Sequence, residues 1–523
     1  MTCFGVLFSL SPVASKGFVS SLVKSLLFFL LLNVLAANAQ TLSGVEQGIK
    51  PYGSYEGGDI DSVSMANGSL TLKIPLISYP QRGGKLHVGY SLYYSNPWLQ
   101  PWASNCNDYT KHCDETGYDL VYYANPAGYG YVNPNGATFG TAMAAANDSV
   151  PSVGVVFESP NSNLVKYYTL TEPDGAVHDL GEVVVDGYAQ YRSVDATGYL
   201  FVGTNSQYLN LGNLWDRHGN LYETTNGLAS AEFQDSNGNQ VTESATGWND
   251  TMGRAIPGAP TSTTNLANCP ASATTASVWS PPGPNGGTSQ YKYCWATINI
   301  SFTAPDCTSN LYCSPTSTTA NEMVGLVLPN LTAWTFAYDS FGDITNITFP
   351  TGGSISYTWT YLYGLCVAPQ FIDPASQYAT QLWPYRRAVT SRTVNANDGT
   401  GSHTWTYVPS MTQANGSQEI TGSFQTVVTD PLGNATVHSE TALGGTCSIY
   451  ETETQKYNGS TSGPVMQTVS TTYNYGSGGG TAGFGDVVIN VVPYQITTTD
   501  GTSGQASQVV KTYDSGSNSP VLG

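Results

Sequence analysis

Six histidines and thirty-six acidic residues set the chemistry this chain could carry. The histidines are His87, His112, His178, His218, His403 and His438. None sits in an H-E-x-x-H or comparable metal-binding spacing, and no G-x-S-x-G elbow supplies a serine nucleophile. The best local carboxylate pair is Asp59 and Asp61, in Gly57-Gly58-Asp59-Ile60-Asp61. Two carboxylates flanking a sugar linkage would suit glycoside cleavage, and residues two apart on a strand share a face. A turn accounts for this pair better. No catalytic, cofactor-binding or metal-binding residue is therefore assigned, and the chain is read as non-enzymatic, with a secreted hydrolase as the minor alternative.

Cysteine chemistry is structural. After Cys3, eight remain: Cys106, Cys113, Cys269, Cys294, Cys307, Cys313, Cys366 and Cys447. An even count suits pairing in an oxidising compartment. Short loops favour Cys106 with Cys113 and Cys307 with Cys313, which leaves Cys269–Cys294 and Cys366–Cys447. Zinc is the rival reading, but no C-x-x-C pair exists and only His112 stands beside a cysteine.

The first forty residues agree with an oxidising destination. Lys16 and Lys24 precede the apolar run Leu26–Ala37, and Ala37-Asn38-Ala39 offers small residues at a cleavage site. This pattern predicts a secretory signal peptide removed after Ala39, and a secreted or cell-surface protein. No later apolar stretch is long enough to predict a transmembrane segment. A net charge of −19 argues against nucleic acid and against an anionic membrane surface. Only 10% of the residues are charged, while Tyr, Thr, Ser, Asn and Gly abound. That composition suits long β-sheets.

The elements themselves are written in turns. Asp, two residues, then Gly recurs at Asp114–Gly117, Asp195–Gly198, Asp216–Gly219, Asp235–Gly238, Asp250–Gly253, Asp339–Gly342, Asp398–Gly401 and Asp430–Gly433. Glycine frequency alone would give about two or three such matches, so the excess is a repeat signal. The Asp carboxylate can accept from a backbone N–H two residues on, and Gly supplies the positive φ that closes a hairpin. A calcium loop is the rival, but each copy offers too few oxygens. In five copies the next residue is Asn220, Asn239, Arg254, Asp343 or Asn434. Before these, Asn67-Gly68 opens a hairpin in which Leu70, Leu72, Ile74 and Leu76 share one face, followed by Leu86, Val88, Tyr90, Leu92 and Tyr94. Pro75 places the first strand at a sheet edge there. The only local helical candidate is Thr141–Ala146.

The fullest copy runs from Tyr338-Asp339 through Gly342, a strand, a second turn at Gly352-Gly353, and Tyr357-Thr358-Trp359. Ile355, Tyr357, Trp359 and Tyr361 share a face of its last strand. This stretch resembles the YD repeat of RHS-repeat proteins, with Trp359 where a Tyr is usual and Asp343 where Arg or Asn is usual. Weaker copies lie at Asp216-Arg217-His218-Gly219-Asn220, Asp235-Ser236-Asn237-Gly238-Asn239 and Asp430-Pro431-Leu432-Gly433-Asn434. The resemblance implies a β-sheet spiralling into a hollow shell that encloses a toxin domain or serves surface contact, without catalysis. The family's closing R-Y-Y-D-P and Gly-Arg-Phe segment is absent. The shell is therefore expected to be incomplete or to pair with another chain.

The whole reads as all-β, with many short antiparallel strands. The expected divisions are a signal peptide at 1–39, an N-terminal β region at 40–200, YD-like repeats at 201–256, a Pro/Ser/Thr-rich loop at 257–292, and a YD-like repeat region at 293–523. A β-sandwich adhesin binding carbohydrate or protein is the alternative. The edge at Gln508–Tyr513 is expected to recruit another polypeptide or a second copy.

Overall fold

A computed structural model describes residues 48–513 except 105–114, 122–142, 148–151, 159–164, 186–187, 194, 204–211, 226–228, 245, 304–315, 364–369, 372–380, 383–384, 412–422, 444–448 and 478–487. Among the described residues the architecture is all-β, and no helix reaches seven residues. Among the described residues no helix is long and apolar enough to cross a membrane.

Three large sheets carry the fold. The first has five strands: Tyr55–Gly57, Asp61–Ser64, Leu70–Pro80, His87–Ser95 and Met143–Asn147. The second is an eleven-stranded antiparallel meander from Ser152–Glu158 to Ala255–Pro257, in which each strand pairs with the next. The third has seventeen strands and continues the same habit from Thr261–Thr263 to Ala506–Val510. The hairpin Trp98–Ser104 and Glu115–Val121 joins it beside Tyr385–Arg386, while Ser402–Met411 pairs with residues 391–395 of that same strand. Hairpin after hairpin is what closely spaced turn signals produce.

The five-stranded sheet is buried between the long ones. Leu70, Leu72 and Ile74 are at most 2% exposed, as the alternation requires. Strand Asp61–Ser64 pairs only as far as Leu72, so Pro75 does lie at an edge, and a bulge between Pro75 and Ile77 absorbs its missing donor. The helical expectation at Thr141–Ala146 is overturned: Met143–Asn147 is a strand paired with Tyr90–Tyr94. A ladder along a waiting edge outweighs the helix propensity of so few residues.

One core serves all three sheets. In the second sheet Tyr191, Phe201, Leu214, Tyr222, Phe233 and Val241 stand opposite one another across successive strands. Five of these six are buried, so each hairpin contributes one side chain to a continuous apolar row. The segment 257–292, expected to be a loop, carries strands Thr261–Thr263 and Thr275–Trp279, and the expected Cys269–Cys294 bridge ties it to strand Tyr291–Phe302. The other six cysteines lie outside the described residues.

Candidate functional site

Five of the eight Asp-x-x-Gly copies fold as one and the same turn. At Asp216, Asp235, Asp250, Asp339 and Asp430 the Asp N–H donates to the carbonyl of the fifth residue, and the Gly N–H donates back to the Asp carbonyl. Oδ1 of each Asp accepts the backbone N–H of both the third and the fifth residue, at 2.8–3.1 Å. Gly219, Gly238, Gly253, Gly342 and Gly433 all have φ between 78° and 87°. This is the type I turn with a glycine bulge. The carboxylates are thus engaged by their own turns, which leaves them poor ligands for calcium. At Gly352 the same backbone pattern closes without an Asp.

The other three copies differ. Asp114 lies outside the described residues, and Gly117 lies inside the strand Glu115–Val121. At Asp195 the Gly198 N–H turns instead to Ser193 Oγ, and Asp398 holds Thr400. In four of the five the residue after Gly adds a side-chain bond. Asn220, Asn239, Arg254 and Asn434 fold back to donate to the second carboxylate oxygen at 2.6–3.0 Å.

Asp343 cannot do so. Instead the Arg387 guanidinium lies 2.8 Å from Asp339 Oδ2 and 3.3 Å from Asp343 Oδ2, stacked 3.8 Å over the Phe341 ring. Among the described residues no hydrogen bond of normal geometry reaches either oxygen of the buried Asp343. Burial, helped by Asp339 and opposed by Arg387 and Arg386, pushes this carboxyl up to about 8.

The Asp59–Asp61 pair does not form a catalytic dyad. Asp59 is exposed, whereas Asp61 is buried and held by Arg392 Nη2 at 2.8 Å, by Arg392 Nε, and by the Tyr357 hydroxyl at 2.8 Å. These three side chains pin the five-stranded sheet to the long third sheet. Tyr357, singled out in the repeat, is thus a docking residue; Tyr338 donates to the Met323 carbonyl at 2.7 Å. Ile355 and Tyr357 are buried, but a bulge after Thr358 shifts the register, leaving Trp359 and Tyr361 half-buried.

Two buried histidines meet acid partners that no motif in the sequence marks. His438 Nδ1 faces Glu451 Oε2 at 2.9 Å and Ser54 Oγ at 3.3 Å. A Ser-His-acid relay needs the hydroxyl and the acid on opposite ring nitrogens, so this is not one. Burial works against the charge of Glu451, but the His438 hydrogen bond holds it below its ordinary value. His178 pairs through Nδ1 with Asp195 and lies 3.8 Å from Glu172, which accepts the Tyr199 hydroxyl at 2.8 Å. Burial opposes its charge, yet Asp195 and Glu172 hold the imidazole protonated, well above its usual range. Among the described residues no group of three or more candidate ligands could hold a metal ion.

No protein-family model matches this sequence, and no curated protein matches it significantly.

Proposed function

We infer that this is an exported, non-catalytic scaffold of the RHS/YD-repeat kind, acting as a shell portion or a surface-contact module. The observation that carries this reading is the recurrence of one hydrogen-bonded Asp-x-x-Gly turn at five hairpins of two consecutive meanders. Such hairpins cannot bury an aromatic face alone, and stacking completes the core. The candidate catalytic groups point the same way: Asp61 is committed to Arg392 and Tyr357, and Ser54 shares a ring nitrogen with Glu451. The signal-like first thirty-nine residues support export.

A partner polypeptide or second copy fits the strand Ala506–Val510. All five of its residues are exposed, and its residue-by-residue pairing is to Val488–Asp500. Strands of this kind template strand addition.

The test is secretion followed by assay. The secreted chain should begin at Gln40 by mass spectrometry and turn over no glycoside, ester or peptide substrate. Turnover abolished by a single carboxylate or histidine substitution in a folded variant would replace the scaffold with the hydrolase.

A further inference from the structure

A cleft of about 390 Å³ opens where four separate segments meet. The segment Ile49–Tyr52 forms one wall. The others are three turns of the second sheet, at Glu172, at Ala196–Tyr199 and at Asp216–His218. The volume lies in the range of small-molecule sites.

The backbone is strained at this cleft. Among the described residues seven non-glycine residues have positive φ, and four are Asn, which tolerates it. Of the remaining three, Tyr52 at 57° and Ala196 at 64° both line the cleft. Strain of this kind concentrates at ligand clamps. Here it projects Tyr52, 41% exposed, at the rim.

The polar groups divide into engaged and free. Asp216 is filled by its own turn, and Lys50 Nζ donates to the Ile449 carbonyl at 2.6 Å. Glu172 Oε1 takes the Tyr199 hydroxyl, and Oε2 meets no donor among the described residues. Arg217 Nε donates to His218 Nε2 at 3.3 Å, which orients the guanidinium, and its terminal nitrogens meet no acceptor among the described residues. The cleft therefore offers one fork for an anion, one carboxylate oxygen for hydroxyl donors, and the rings of Tyr52 and Tyr199.

We propose that this cleft binds a carboxylated sugar, its carboxylate on Arg217, its hydroxyls on Glu172 and its apolar face on Tyr52. Arg217 and Lys50 offset the carboxylates of Glu172 and Asp216, so the lining is near neutral and suits a monoanion; a dianionic phosphate would meet greater repulsion in a chain of charge −19. The proposal stands whether or not the chain is a scaffold.

Saturation-transfer NMR and calorimetry on the full secreted chain test it, with glucuronate, glucose and inorganic phosphate as probes. Glucuronate should bind at least about tenfold more tightly than glucose, with no phosphate binding. Arg217→Ala, at an exposed position, should weaken glucuronate at least about tenfold. Tyr52→Gly should weaken it similarly without lowering the thermal midpoint, because glycine relieves the strain. Absent glucuronate binding, equal binding of glucose, tighter binding of phosphate, or unchanged affinity in either variant overturns the proposal. A lowered midpoint in Tyr52→Gly also overturns it, by assigning the ring to packing.

Discussion

At Gly342 the backbone sits at φ 87°, where a β-branched side chain is strongly disfavoured, while Ser340 occupies an ordinary position of the same turn. Gly342→Val should therefore lower stability by about 2–4 kcal/mol and Ser340→Val by less than about 1. Chemical denaturation of both variants checks this, and equal midpoints would mean the turn is misassigned. The neighbouring Asp343 makes a pH prediction. Its carboxyl is raised from 3.8 to about 8 in the fold, so the folded chain binds the extra proton between those values. Stability is then highest at the acid end of that window and is lost as pH rises through it, by on the order of 4 kcal/mol at neutral pH. Asp343→Asn places at this position the residue found in three sister turns, with a donor for Asp339. It should raise the thermal midpoint at pH 8 and flatten its decline from pH 5. A variant whose midpoint tracks the parent at every pH would show that Asp343 is not the group responsible. The opposite flank belongs to Asp195, Glu172 and Glu451, whose pKa values are lowered: their contribution is lost as pH falls below about 4.

At the level of the element, the hairpins were legible because their determinants are local. Asp, Gly and the fifth residue lie within five positions, and where the fifth is Asn or Arg the turn forms as read. The alternation from Leu70 to Ile74 was legible for the same reason. Met143–Asn147 was not, because its conformation is set by an edge some fifty residues earlier. Arg392 was hidden likewise: nothing near Asp61 in sequence marks a cation 331 residues away. The prolines of segment 257–292 predict a loop, yet the disulfide and the pairing of Thr275–Trp279 with Tyr291–Trp295 give it strands. Replacing both Cys269 and Cys294 by Ala should cost about 3 kcal/mol, as expected for closing a loop of this length. Hydrogen exchange should then rise first in residues 261–279. Unchanged protection there would mean that strand pairing, not the bridge, orders the segment.

For the whole molecule, the decisive feature is that the core does not respect boundaries in the chain. Val63, Phe201 and Tyr357 belong to three different sheets and one apolar cluster. The segment Gly48–Tyr55 adds a tether: Ile49 N–H donates to Asp174 beside the second sheet, and Lys50 stacks 4.5 Å from the Tyr450 ring in the third. The turn at Gly68 approaches so closely that a Cβ there would lie 2.3 Å from the Ala388 side chain. The five-stranded sheet is thus the wedge that joins the meanders, and Asp61 is its buried ionic pin. Removing one partner of a buried pair leaves the other charged and uncompensated, typically at about 3–5 kcal/mol, whereas replacing both with apolar residues of similar volume is often near neutral. Asp61→Ala should therefore lower stability by that amount and do so cooperatively, with fluorescence and circular dichroism falling together. Asp61→Leu combined with Arg392→Met should recover most of the loss. If the single variant instead unfolds in two steps, the wedge is an independent unit and the shared core does not couple the sheets. If the double variant is no better than the single, the pin contributes specific hydrogen bonds, Tyr357 included, that apolar packing does not replace.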